Sequence, residues 1–189
     1  MTENLTKQEQ KILLKIARLA LEKKVRGQKL PLIDLETLPQ RLREKGASFV
    51  TLTKKGSLRG CVGTLEAFQP LANDVQARAV AAALDDFRFP PVTPDELPEI
   101  KIEISRLTPP RPLEYETPEE LLEKLRPGID GVVLRDGMRR ATFLPQVWEQ
   151  LPEPEQFLNR LCYKMGASMN AWREKKLDVS IYRVEKFRE

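Results

Sequence analysis

Two glycine-containing turns constrain this chain strongly, because each joins two apolar, β-prone segments into a hairpin. The first turn, Thr53–Ser57, connects residues 47–52 to residues 58–64. The second, Asp136-Gly137, lies between two further apolar segments. A glycine in a short polar turn supplies the left-handed backbone that tight hairpins require. We therefore predict antiparallel strand pairing at two separate places in the chain.

Helical segments alternate with these hairpins. Capping boxes, in which a threonine and the glutamate three residues later satisfy each other's backbone N–H groups, are predicted at Thr6, Thr93 and Thr117. The box at Thr6 begins a helix that ends before Gly27. A second, short helix is predicted from Pro39 to Gly46.

The order of these elements indicates an α+β fold with a mainly antiparallel or mixed sheet flanked by helices. Alternating apolar residues predict a single strand at Glu99–Leu107. A final strand is predicted at Leu177–Phe187. Pro109–Pro112 interrupts the pattern. We therefore expect one compact domain over residues 1–189, built from two unequal lobes with a boundary near residues 108–113.

Composition excludes several kinds of active site. The chain has no histidine and only two cysteines, Cys61 and Cys162. Without histidine it cannot build a Ser-His-Asp triad, a Cys-His pair or a histidine-based zinc site. Two cysteines are also too few for a four-cysteine zinc site. We expect two free thiols, no metal and no cofactor.

Bulk properties favour a cytoplasmic protein that does not enter membranes. No apolar stretch approaches the roughly 18–20 residues that a membrane span needs. The first ten residues are polar and do not resemble a secretory signal. The net charge is +4, the basic tracts are short and aromatic residues make up 6%. These numbers argue against a nucleic-acid interface.

The segment Leu58–Thr64 is unusual for a strand because it contains two glycines. Glycines within strands mark bulges or close backbone approaches. Regular alternation places Arg59 and Cys61 side by side, where a guanidinium favours the thiolate or holds an anion. In the alternative interpretation the glycines admit a packed helix, Cys61 is a small core residue and Arg59 pairs with a carboxylate.

This heptapeptide resembles the LRGCIGT motif of the AMMECR domain family, with Val62 in place of isoleucine. Asp86–Pro91 resembles the family's DPRFPP segment, with Phe87 in place of the first proline. Further matches occur at Leu107–Pro110, Leu144–Val147, Phe157-Leu158 and Leu161–Lys164. The family includes protein A of the AmmeMemoRadiSam system. The resemblance implies a two-lobed α+β domain whose motif strand lines a cleft, and it implies no established reaction.

The preferred functional hypothesis is a small-ligand-binding enzyme or enzyme subunit. Cys61 would be its nucleophile or redox-active thiol, and Arg59 would bind a small anionic or polar ligand. Asp86 and Arg88 would form the opposite wall. The Asp85-Asp86 pair is alternatively a general base or cation ligand, or a partner of Arg88. The other residues expected to bind the ligand are Gly60, Gly63 and Thr64.

Two other functions are carried as alternatives. The resemblance to the AMMECR family implies a partner or scaffold protein without catalysis, acting with a Memo-like protein and a radical SAM enzyme. The third alternative is a nucleic-acid accessory protein, whose binding would weaken steeply with salt.

Overall fold

The computed structural model describes residues 4–189, which form two compact units. One unit runs up to Thr108 and includes Glu185–Glu189, and the other is Pro109–Val184. The chain first passes from one unit to the other between Thr108 and Pro109, at the start of the segment Pro109–Pro112. Residues 1–3, part of the polar N-terminal segment, lie outside the described residues.

Helices and strands alternate along both units, and three short 3-10 helices accompany them. In chain order the regular elements are α1 (Lys7–Val25), α2 (Gln40–Arg43), β1 (Lys45–Lys54), β2 (Ser57–Gly63), β3 (Gln69–Pro70), α3 (Leu71–Leu84), β4 (Ile100–Leu107), β5 (Arg111–Pro112), α4 (Pro118–Lys124), β6 (Gly131–Asp136), β7 (Arg139–Phe143), α5 (Pro154–Lys164), α6 (Ala171–Glu174), β8 (Asp178–Tyr182) and β9 (Val184–Arg188). The 3-10 helices are Leu35–Thr37, Pro94–Glu99 and Pro145–Glu149.

The first unit contains a sheet with the strand order β2-β1-β4-β9, and β3 also pairs with β1. Strand β1 runs antiparallel to β2, β3 and β4. Helix α3 packs on β1 and β2, and α1 packs on α3. The sheet contributes Val50, Leu52 and Ile104 to this core, each fully buried. The alanines of α3, including Ala79 and Ala82, let its backbone approach the strands closely.

The second unit contains a four-stranded antiparallel sheet with the order β5-β8-β6-β7. Its core includes Trp148 stacked on Phe157, with ring centroids 3.7 Å apart. Leu161 and Trp172 are buried in the same cluster. Both units therefore confirm the α+β class and the antiparallel pairing, including both predicted hairpins.

Capping was predicted correctly at Thr6 and Thr93, where both bonds of the box are present. The box at Thr93 begins a 3-10 helix rather than an α-helix. At Thr117 only half of the box forms. The threonine side chain accepts from Glu120 N, but the Glu120 carboxylate accepts from Glu116 N instead, at 2.7 Å.

Two boundary predictions were wrong. The short helix ends at Arg43 instead of continuing to Gly46, because Lys45 and Gly46 already pair with β3. The predicted final strand is divided at Arg183 into β8 and β9, which belong to different sheets. Apolar residues alternate from Leu177 to Ile181, whereas Val184 and Phe187 lie three positions apart. The alternation is therefore interrupted near the division.

Candidate functional site

The motif strand β2 is an edge strand of the first sheet. Its pairing with β1 is interrupted by a bulge, because Gly60 pairs with Leu52 while Leu58 pairs with Thr53. Arg59 is the extra residue between them. The regular alternation predicted for this segment therefore stops at Arg59 and resumes at Gly60.

Both glycines of the motif permit close packing. A Cβ atom on Gly60 would lie 2.0 Å from the carbonyl oxygen of Ala82 in α3. A Cβ atom on Gly63 would lie 2.2 Å from the ring of Phe49. Helix α3 and a β1 aromatic ring thus occupy the space that larger side chains would need, as the packing interpretation of these glycines predicts.

Arg59 is held by residues around the start of the Pro94–Glu99 helix. Its Nε and Nη2 atoms donate to the Glu96 carboxylate at 3.0 and 2.9 Å, as a two-pronged ion pair. Its remaining bonds reach the carbonyls of Pro90, at 2.9 Å, and Pro91, at 3.3 Å. These contacts leave the five-donor guanidinium one N–H for any other partner. Anion binding by Arg59 stays a prediction, and an anion could accept a hydrogen bond from that remaining N–H group.

Glu96 is the centre of this cluster. Besides Arg59, its carboxylate accepts from Lys54 Nζ at 2.9 Å and from Thr93 N at 3.0 Å. The side chain is only 16% exposed. The hydrogen bonds from Arg59, and then those from Thr93 and Lys54, hold the Glu96 pKa well below its usual range despite burial.

Asp86 and Arg88 together grip the backbone of Cys61, and we call this pair the edge clamp. The Cys61 N–H donates to Asp86 Oδ2 at 2.8 Å, and the Cys61 carbonyl accepts from Arg88 Nη2 at 3.1 Å. Arg88 also donates to both Asp86 oxygens, at 2.9 and 2.7 Å. The clamp satisfies backbone groups that a further strand would otherwise pair.

The Asp86 carboxylate is nearly inaccessible to solvent, at 4% exposure. Its hydrogen bond from the Arg88 guanidinium holds the Asp86 pKa well below the usual range, against the opposing effect of burial. The Cys61 N–H contributes in the same direction as Arg88. Asp86 is therefore a fixed anion, with Arg88 as its partner, as one of the sequence alternatives stated.

The Cys61 thiol lies half-buried beside two polar groups. The Thr51 hydroxyl donates to Cys61 Sγ, with 3.2 Å between oxygen and sulfur. The Arg88 pKa is raised, first by Asp86 and additionally by the Cys61 thiol, which interacts with the guanidinium. Arg88 is thus a cationic neighbour of this sulfur, a role that the sequence analysis had given to Arg59.

Two other predicted residues, Thr64 and Asp85, lie in a local turn and at the end of a helix. Thr64 makes a local turn, accepting from Glu66 N at 3.2 Å. Asp85 is exposed and ends α3.

Among residues 4–189, no three metal-ligating side chains come close enough to hold an ion. Within the same range, no helix is both long and apolar enough to cross a membrane.

Sequence reasoning missed Thr51 and Glu96 as members of this region. Thr51 pairs with Cys61 across the hairpin. The bulge shifts the register by one residue, so this pairing does not follow from the position of the turn in the sequence. Glu96 was recognised only as a capping residue, and no local pattern indicates its second role. Contacts between residues 59 and 96 depend on the packing of the whole unit.

We expect the free energy of unfolding to decrease in acid because of Asp86 and Glu96. Both have lowered pKa values in the folded chain, whereas in the unfolded chain they titrate near pH ~4. Their stabilising effect is thus complete above about pH 5 and is lost as the pH falls further, when the unfolded chain binds more protons. Urea unfolding from pH 7 down to about pH 3 measures this decrease.

The matched variant for this acid series is Asp86→Asn. It removes one of the two carboxylates, so its unfolding free energy should depend less steeply on pH below about pH 5. An Asp86→Asn curve as steep as that of the parent would assign the acid sensitivity to other groups.

Comparisons with known proteins place these motifs in a family. A family model described as AMMECR1 matches residues 14–187. A protein of Methanothermobacter thermautotrophicus is 41% identical over 187 residues, covering 98% of this chain and 96% of its own. A protein of Thermofilum pendens is 38% identical, covering 97% and 91%.

A solved structure supports the same assignment. The crystal structure of an uncharacterized protein from Pyrococcus horikoshii superposes with a TM-score of 0.74 at 32% identity, covering 98% of this chain and 93% of that one. The family model spans both compact units, and the relatives match along almost their whole lengths. The chain therefore belongs to the AMMECR1 family.

Proposed function

We propose that this protein is a cytoplasmic small-ligand-binding enzyme or enzyme subunit whose reactive group is the Cys61 thiolate. The observation that carries the proposal is the setting of Cys61: the Thr51 hydroxyl donates to its sulfur, and the Arg88 guanidinium donates to its backbone carbonyl. A hydroxyl donor and a cation both favour the thiolate, which is the nucleophilic form of cysteine. The thiol serves as the nucleophile or the redox-active group.

The rest of the motif supports this assignment by providing rigidity. Gly60 allows α3 to pack against the strand, Arg59 is tied to Glu96, and the edge clamp fixes the Cys61 backbone. A reactive group on a strand held from three sides keeps its orientation, which is a general requirement of catalytic sites. Histidine plays no part, since the chain contains none.

Alkylation by iodoacetamide tests the proposal on the intact native protein. The Cys61 sulfur forms a bond to carbon and iodide leaves, so mass spectrometry measures the rate at each cysteine as a function of pH. We expect Cys61 to react readily near neutral pH. Cys162 is the internal control, because burial raises the pKa of its thiol and it should react only after unfolding.

Thr51→Val is the informative variant, with Thr53→Val as its matched control. Removing one hydrogen bond to the thiolate should slow alkylation of Cys61 at pH 7 by about tenfold. Thr53 lies two residues further along β1 and is likewise half-buried, so its replacement should leave the rate unchanged. Cysteines that both stay inert until the protein unfolds would refute the proposal.

A second candidate function is a partner protein without catalysis, acting with the Memo-like and radical SAM proteins of the AmmeMemoRadiSam system. The observation that favours it is Phe87, whose side chain is 96% exposed between the two residues of the edge clamp. Exposed aromatic residues are enriched at protein interfaces. An inert Cys61, together with a Cys61→Ser variant that loses only stability, would favour this function over the first.

A further inference from the structure

One face of the second unit's sheet carries an unusual row of charges. Arg135 of β6 lies directly opposite Arg140 of β7, and on its other side directly opposite Asp178 of β8. One pair further along the same face, Val133 lies opposite Ser180. Side chains two residues apart on a strand share a face, so these groups project together.

These side chains line a cavity. Its volume is about 350 Å³, within the range of small-molecule pockets. The lining residues are Pro110, Val133, Arg135, Arg140, Asp178 and Ser180. All of them belong to the second unit. The cavity therefore combines two guanidinium groups, one carboxylate and one hydroxyl with a small apolar wall.

The arrangement of charges distinguishes this row from an ordinary surface. The next pair along the same hairpin, Asp136 and Arg139, joins opposite charges in an ion pair. Arg135 and Arg140 instead place two guanidinium groups directly opposite each other. Within residues 4–189, Arg135 and Asp178 form no ion pair with each other although they are neighbours across β6 and β8.

We propose that this cavity binds a small organic oxyanion, a carboxylate or phosphate monoester, that also carries a hydroxyl or ammonium group. Arg135 and Arg140 bind the oxyanion, because guanidinium groups match its geometry with paired hydrogen bonds. Asp178 and Ser180 accept from the hydroxyl or ammonium group.

The proposal is independent of the function assigned to Cys61, which lies in the first unit. Amide chemical shifts in the full-length protein measure binding during titrations at constant ionic strength. The probes are malate, aspartate, glycerol 3-phosphate and inorganic phosphate. We expect at least one of the three organic probes to shift the amides of β6, β7 and β8 and to bind more tightly than inorganic phosphate.

Variants identify the groups responsible. Arg135→Gln should weaken binding of the organic probe by about tenfold or more, since a charged hydrogen bond is lost. The matched control is Arg160→Gln, which removes the same charge from the exposed face of α5. Asp178→Asn should weaken the organic probe while leaving inorganic phosphate as tight or tighter.

Three results would overturn the inference. They are the absence of shifts at millimolar concentrations of every probe, equal affinity of Arg135→Gln and Arg160→Gln, and equal binding of organic and inorganic anions. The last result would assign the row to general attraction of counter-ions.

Discussion

Replacing Gly60 with alanine is expected to lower the free energy of unfolding by about 3 kcal/mol or more. The added methyl group would lie 2.0 Å from the Ala82 carbonyl oxygen, far inside van der Waals contact. Helix α3 has little room to retreat, because α1 packs on it. Far-ultraviolet circular dichroism during urea unfolding measures the loss. The fluorescence of Trp148 and Trp172 reports on the second unit by itself.

Gly27→Ala is the control for this prediction. Gly27, unlike Gly60, adopts a left-handed backbone, with φ +70°, but a methyl group there would meet nothing within 4 Å. Its replacement should cost about 1 kcal/mol, the strain of a left-handed alanine. Equal stability of the two variants would mean that α3 does not approach β2 as closely as described.

Replacing Asp86 with alanine has the second large expected effect, a loss of about 3 kcal/mol. The change removes the acceptor of the Cys61 N–H and of three Arg88 hydrogen bonds. It leaves the partly buried Cys61 N–H without its acceptor and the exposed Arg88 guanidinium without its carboxylate. Chemical denaturation measures the stability, and hydrogen exchange at the Cys61 amide measures opening of the strand edge, which should become faster.

The neighbouring Asp85→Ala provides a matched comparison. Asp85 is exposed at the end of α3, and its removal should change stability by no more than about 0.5 kcal/mol. If Asp86→Ala were equally mild and left exchange at Cys61 unchanged, the edge clamp would not be what holds the motif strand.

These two predictions share one physical picture of the motif. Gly60 permits the helix to pack, Asp86 and Arg88 replace a missing neighbouring strand, and Arg59 joins the strand to Glu96. Most of the motif therefore builds a rigid edge. The Cys61 thiol is the group in this edge that we propose to react with a ligand.

Local patterns predicted much of the fold correctly. Left-handed glycines mark both hairpin turns, Gly56 at φ +81° and Gly137 at φ +60°. The capping boxes at Thr6 and Thr93 formed as predicted. These features depend on interactions among residues close in sequence, so a single chain without structural information is sufficient to recognise them.

The candidate site was predicted only in part. Cys61, Asp86 and Arg88 were predicted as site residues, and the structure brings these three together. Arg59 was also predicted as a site residue, but in the structure its guanidinium binds Glu96. The bulge explains this difference. Arg59 is the unpaired residue of the bulge, so its side chain does not follow the regular alternation that would place it beside Cys61.

The tertiary structure decided which strands share a sheet and which distant groups meet. Residues 177–187 were predicted as one strand, yet β8 joins the second sheet and β9 the first. Likewise, Glu96 reaches Arg59 across 37 positions of the chain. Alternation specifies which side of a strand is buried but carries no information about its neighbours. Pairing between distant segments is selected by the packing of the whole core, where burial of apolar surface outweighs local preference.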